Sequence, residues 1–215
     1  MRFAAIETST EWCSVAVWDQ GEVRALERRA GQRHSEFALP MLDRLMKGLA
    51  IDAVAFGAGP GAFTGLRIGC AVAQGLAFAR GLPVIGISTL EALAQESGAG
   101  RVVACIDARM REVYYAALEK RAGRWCEVIA AQCVAPHAAP RPPGEGWLGI
   151  GNGFAVYGNM GLNRVLPEIH PTAVAVAQLA APRLAAGEGV DAAQAAPVYL
   201  RDKVAFTKEE LERRP

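Results

Sequence analysis

Apolar and β-branched runs separated by short polar breaks open the chain. Residues 2–30 read RFAAIETSTEWCSVAVWDQGEVRALERRA, and the breaks at TSTE and DQG predict three strands joined by short turns. The period then changes. In HSEFALPMLDRLMKGLA (residues 34–50), Phe37, Met41 and Leu45 recur on one ridge with Ala38, Leu42 and Leu49 alongside, which predicts a helix. Ser35 is its expected N-cap, and Pro40 is expected to kink or delay the first turn. DAVAFGAG predicts a buried strand, and a glycine-dense loop then feeds a long apolar helix over about residues 64–80. LPVIGIS predicts a further strand and TLEALAQESG a helix closed by glycine. Strands alternating with helices imply a sheet that contains parallel strands.

The second half echoes the first. FAAIETSTEWCSVAVW, beginning at Phe3, aligns with VACIDARMREVYYAAL, beginning at Val103, so that Ile6 falls on Ile106, Glu7 on Asp107, Val15 on Tyr115 and Ala16 on Ala116. In both copies an apolar strand ends in a carboxylate, turns, and returns as a second strand. A duplicated lobe of this kind implies an α/β, actin-like (ribonuclease H-like) fold, with mixed sheets flanked by helices. The expected lobes are residues 1–100 and 101–215. The second is reduced and carries a proline-rich loop over 136–146. WLGIGNGF predicts a strand entering a glycine turn. PTAVAVAQLAAPRLAAGEG predicts a helix capped by Thr172 and bent or ended by Pro182. The tail FTKEELERRP reads as a solvated, charged segment.

Composition narrows the function classes. The 215 residues are 52% hydrophobic and 21% charged, the balance of a well-packed globular protein. A formal net charge of +1 supplies no general field for nucleic acid or an acidic membrane, so RNA contact requires a local patch or a partner. The five cysteines include no C-x-x-C pair, and their odd number argues against a closed disulfide framework. The N-terminus lacks a secretory apolar core, and the apolar run over 62–79 is broken by Arg67 and Gln74. A cytoplasmic location is therefore expected.

The loop AFGAGPGAFTGLRIG asks for a nucleotide and lacks the means to handle one. A helix N-terminus with glycines offers free N–H groups to an anion. GAGPGA fits the loose dinucleotide pattern, but the loop does not follow the first strand, Pro60 interrupts it, and no acidic residue ends VIGIS. No Gly-Lys-Ser/Thr follows either. The helix carries a different message. Gly61, Gly65, Gly69, Ala73 and Ala77 recur at i, i+4 as a ridge of minimal side chains. Leu66, Ile68, Cys70, Val72, Leu76 and Phe78 make it apolar on nearly every side, so it must be covered on both sides. The sheet covers one side. The other is covered by the preceding helix or by a partner, and the pattern leaves both open.

Candidate chemistry is sparse. His34, His137 and His170 are not paired at ligand spacing, so no metal site is expected. There is no G-x-S-x-G elbow. Glu7 and Asp107 are weak candidates for placing a metal–nucleotide, because matched hairpin turns of an actin-like fold face one cleft. Both turns lack glycine, and a carboxylate capping a turn is the competing reading. No cofactor is expected.

Taken together, IETST, HSEFALPMLDRL, GAGPGAFTGLRIG, GISTLEALA, DARMREVYYA and PVYLRDKV resemble the TsaB family, formerly called YeaZ, in collinear order over nearly the whole chain. The resemblance implies an actin-like fold and a role in bacterial synthesis of threonylcarbamoyladenosine on tRNA. It implies a non-catalytic subunit beside TsaD, the threonylcarbamoyl transferase, with the ATPase TsaE joining the complex, tRNA engaged indirectly, and a homodimer possible alone. The family's older label is glycoprotease-like. TsaD carries a His-x-x-x-His metal pair after the strand matching VIGIS; the matching positions here are Thr89 and Leu93. The resemblance also places the partner surface on the two helices after the first hairpin, with Leu42, Leu45, Met46, Gly65, Ile68, Gly69, Val72 and Ala73 as contacts. The competing readings are a metal-dependent peptidase or nucleotide-binding kinase of the same fold class, and a dinucleotide-binding oxidoreductase.

Overall fold

A computed structural model describes residues 1–201. The tail segment FTKEELERRP and the last three residues of PVYLRDKV lie outside them. The opening runs form β1 (Arg2–Glu7), β2 (Trp12–Asp19) and β3 (Glu22–Arg29), an antiparallel meander. Helix α1 (His34–Met46) leads to β4 (Ala53–Gly59), which runs parallel to β1, and α2 (Phe63–Phe78) leads to β5 (Val84–Ser88), parallel to β4. The first sheet therefore has the order β3-β2-β1-β4-β5. After α3 (Thr89–Glu96) the pattern repeats. Strands β6 (Arg101–Arg109), β7 (Glu112–Arg121) and β8 (Arg124–Val134) form a second meander, and β9 (Leu148–Ile150) and β10 (Arg164–Leu166) add in parallel. The order β10-β9-β6-β7-β8 is the first sheet's order read from the other edge. This repeat is the duplicated actin-like α/β fold.

The echo holds in topology and slips in register. Ile6 pairs with Val15, whereas Ile106 pairs with Tyr114, so the second hairpin is one residue tighter than the alignment implies. A one-residue slip moves a side chain to the other face. Accordingly Ile6 joins the core under α1 and α2, while Ile106 joins the core under α3.

Helices separate the sheets. Helix α5 (Ala173–Ala185), although it follows the second sheet in sequence, packs on β1, β2, β4 and β5 of the first. Helix α3 packs on β6 and β7, and α3 and α5 touch each other. Leu179 borders the cores of both sheets, so α3 and α5 form the middle layer. The outer layers are α1 with α2 on the first sheet, and the short α4 (Gly153–Tyr157) with the proline-rich loop on the second. Thr172 caps α5 as its sequence predicts, its hydroxyl accepting from the Ala175 amide, and Pro182 sits inside the helix. Ser35, by contrast, is not the cap of α1. The cap position is Arg33, and Pro40 lies inside the helix, on an exposed turn where water can serve the backbone groups it leaves unpaired.

Candidate partner-binding face

The glycine ridge faces inward. Gly61, Gly65 and Gly69 bring α2 down onto the turn after β1. A Cβ at Gly61 would meet Ser9 at 2.5 Å, and at Gly65 the Thr8 carbonyl oxygen at 2.0 Å. Ala73 and Ala77 are fully buried in the core of the first sheet. Four of the expected partner contacts, Gly65, Gly69, Ala73 and Leu42, are buried within the chain itself, although Leu42 also lines the groove between α1 and α2. Small residues were needed for a close approach, and the backbone approached is the chain's own.

Leu45, Met46, Ile68 and Val72 are half-buried on the outer sides of α1 and α2. Beside them the structure adds residues that the spacing did not single out as contacts. Leu39 on α1 is 56% exposed and Phe78, closing α2, is 80% exposed. Leu39, Met46, Leu49 and Leu76 line a groove of about 450 Å³ between the two helices, with Asp43 and Arg80 at its edge. Large side chains exposed on adjacent helices form an apolar surface that a partner can cover.

The glycine loop ahead of α2 is occupied by the chain. The Val198 amide donates to the Ala58 carbonyl at 2.7 Å, and the Tyr199 ring lies 5.5 Å from Phe63. Arg67 lies over the Phe63 ring and donates to the Tyr199 hydroxyl at 3.1 Å.

Glu7 and Asp107 do not converge. Each accepts from the amide two residues on, Ser9 at 2.6 Å and Arg109 at 2.9 Å, which is the turn-capping role. Their side chains leave different faces. Glu7 continues the Phe3–Ala5 face toward the middle layer, and Asp107 continues the Val103–Cys105 face, where the Tyr157 hydroxyl of α4 donates to it. Glu7 is 1% exposed, lies against Gly57, and has no partner for Oε2 among the described residues. Burial pushes its pKa up, opposed by hydrogen bonds from Ser9 and Thr8. Burial and the nearby Glu7 also raise the Cys13 thiol to about 11. His34, at the start of α1, is buried beneath the ridge and its pKa is lowered by that burial.

Thr89 and Leu93 are both fully buried on α3, and Leu93 belongs to the second sheet's core. Among the described residues no three His, Cys, Asp or Glu side chains gather as metal ligands, and no helix is long and apolar enough to cross a membrane.

Two mixed sheets of one topology, with helices between them and an apolar two-helix face outside, define an actin-like α/β protein. Comparison with known proteins sharpens this. The sequence model of the TsaD family, tRNA N6-adenosine threonylcarbamoyltransferase, matches residues 27–208. The chain is 38% identical to the tRNA threonylcarbamoyladenosine biosynthesis protein TsaB of Escherichia coli, covering 97% of this chain and 98% of that one. It is 37% identical to TsaB of Haemophilus influenzae, covering 95% of each. A solved YeaZ from Pseudomonas aeruginosa aligns at a TM-score of 0.86 and 39% identity over 93% of this chain and 99% of that one. The chain belongs to the TsaD family and, within it, to the TsaB (YeaZ) group.

Proposed function

We propose that this chain is a non-catalytic subunit in tRNA threonylcarbamoyladenosine biosynthesis, docking a TsaD-like catalytic paralog through the outer side of α1 and α2. The observation that carries the reading is the pair Leu39 and Phe78, large apolar side chains held in water on adjacent helices. Half-buried Leu45, Met46, Ile68 and Val72 extend that surface. Its other expected features follow from the family: a TsaE-like ATPase in a ternary assembly, self-association when the paralog is absent, tRNA reached through the partners, and a cytoplasmic setting. The lobes are taken as 1–100 and 101–215, with α5 of the second lobe serving the first.

Covering a leucine and a phenylalanine contributes about 1.5–3 kcal/mol each, whereas the inward ridge is already satisfied. The test is co-purification of a TsaD-like paralog with this chain, followed by threonylcarbamoyladenosine formation on tRNA with and without it. Capture together with dependence of the modification on this chain is the expected result. Peptide hydrolysis or ATP turnover by the isolated chain, or modification that proceeds equally without it, overturns the reading.

A further inference from the structure

The two sheets share a topology, but their outer faces are closed differently. Helices α1 and α2 lie along the first sheet. On the second, the link from β8 to β9 forms no α-helix, and the link from β9 to β10 holds only the five-residue α4. The proline-rich loop arches over the gap and is pinned from below. The Tyr115 hydroxyl donates to the Pro140 carbonyl at 2.7 Å, and the Trp147 indole N–H donates to the Pro143 carbonyl at 3.0 Å. A cavity of about 520 Å³ remains between loop and sheet. Small-molecule sites run from roughly 300 to 1,000 Å³.

The lining has two parts. Tyr115, Trp147, Phe154 and Leu162 form an aromatic and apolar floor. Arg141 and Arg164 stand at the rim, and neither guanidinium has a hydrogen bond or ion pair among the described residues. Backbone shape sets one of them. Gly161 has φ +84°, and the Arg141 guanidinium lies so close over it that a Cβ there would meet Nη2 at 2.9 Å. Glu145 is the only carboxylate in the lining among the described residues, so cations outnumber anions at the mouth.

We propose that this cavity binds a small aromatic ligand carrying one anionic group, a carboxylate or a phosphate. The ring meets the Trp147 and Phe154 end of the cavity, and the anion meets Arg141 and Arg164. A planar guanidinium presents paired N–H groups that match the oxygens of either anion. A neutral ring fills the same floor but leaves both cations unpaired. The proposal does not depend on the function of the α1–α2 face.

The test is a titration of the full ¹⁵N-labelled chain, following tryptophan indole N–H signals assigned by Trp147→Phe and Trp12→Phe variants. The probes are indole-3-acetate for the carboxylate, phenyl phosphate for the phosphate, and indole-3-ethanol as the uncharged counterpart. The expected result is a saturable shift of the Trp147 signal with at least one of the two anions, while Trp12 stays still. Affinity is expected to fall about tenfold or more with the uncharged compound and in an R141E/R164E double variant. Because neither guanidinium has a hydrogen bond or ion pair among the described residues, that variant is expected to melt like the parent. No saturable Trp147 shift with either anion, equal binding of the uncharged compound, or an unchanged midpoint in R141E/R164E overturns the proposal.

Discussion

Thr8 locks β1 to α2 by touching two glycines of one ridge. Its hydroxyl donates to the Gly65 carbonyl at 2.8 Å, and a Cβ at Gly69 would sit 2.5 Å from the Thr8 hydroxyl oxygen. The hydroxyl fills the space that the missing side chain leaves. The ridge is thus the means by which the first sheet accepts α2 at close range, and it sets which side of α2 remains outward.

Gly65→Ala is expected to destabilise the chain, by about 1–3 kcal/mol, because the added methyl overlaps backbone oxygen with no flexible side chain to give way. Gly75 lies on the same helix with nothing near its missing Cβ. There the helix-propensity gain of about 0.5–1 kcal/mol should appear, so Gly75→Ala raises stability. Urea unfolding of the two variants checks the signs. If both substitutions stabilise, the ridge does not face inward.

Charges placed on α1 should separate folding from docking. Leu42 is 3% exposed within the first sheet's core, and Leu42→Glu is expected to cost at least about 3 kcal/mol and abolish folding or nearly so. Leu39 and Phe78 face water, so Leu39→Glu and Phe78→Glu should melt like the parent. They should nevertheless lose co-purification of the TsaD-like paralog. Unaltered capture by the Leu39→Glu, Phe78→Glu double variant would move the partner surface elsewhere on the chain.

The sequence made the local pattern legible and hid the long-range contacts. Strands β1 to β3 followed from runs and turn residues, and the Thr172 cap from its place before an apolar period. The i, i+4 spacing of Gly65, Gly69 and Ala73 marked a close-packing ridge but could not name what lies against it. Its partner, Thr8, is 57 residues from Gly65, and no periodicity connects them. The same limit explains Glu7 and Asp107. Their equivalence is visible in the aligned strands, but the faces they point to depend on a hairpin register that differs by one residue. Strand β10 and helix α4 are too short to impose a period on the sequence.

Glu7→Gln should alter the pH dependence of stability. The folded pKa of Glu7 lies above its ordinary value of 4.5 because burial disfavours the charge. Its contribution is therefore fully present below the unfolded value and is lost as pH rises through the folded one. Glutamine keeps an oxygen for the Ser9 amide and never charges. The variant should melt higher than the parent at pH 8, and the difference should shrink as the pH approaches 4. A melting difference that stays constant over that range assigns the effect to packing and not to ionisation.

Arg201 should couple the segment that follows α5 to the second sheet. Its side chain is 12% exposed and pairs with Glu112 at the start of β7, while its guanidinium also reaches the Arg109 carbonyl. Three residues earlier, Val198 is bonded to Ala58 beside the glycine loop, so the segment bridges β4 and the β6–β7 turn. A partly buried, charge-assisted hydrogen bond contributes about 1.5–3 kcal/mol. Arg201→Ala is expected to cost about 2 kcal/mol, and the Arg201→Ala, Glu112→Ala double variant is expected to lose less than the sum of the two single losses. Urea unfolding of the four proteins in that cycle measures the coupling. Additive losses would mean that the two side chains do not support each other.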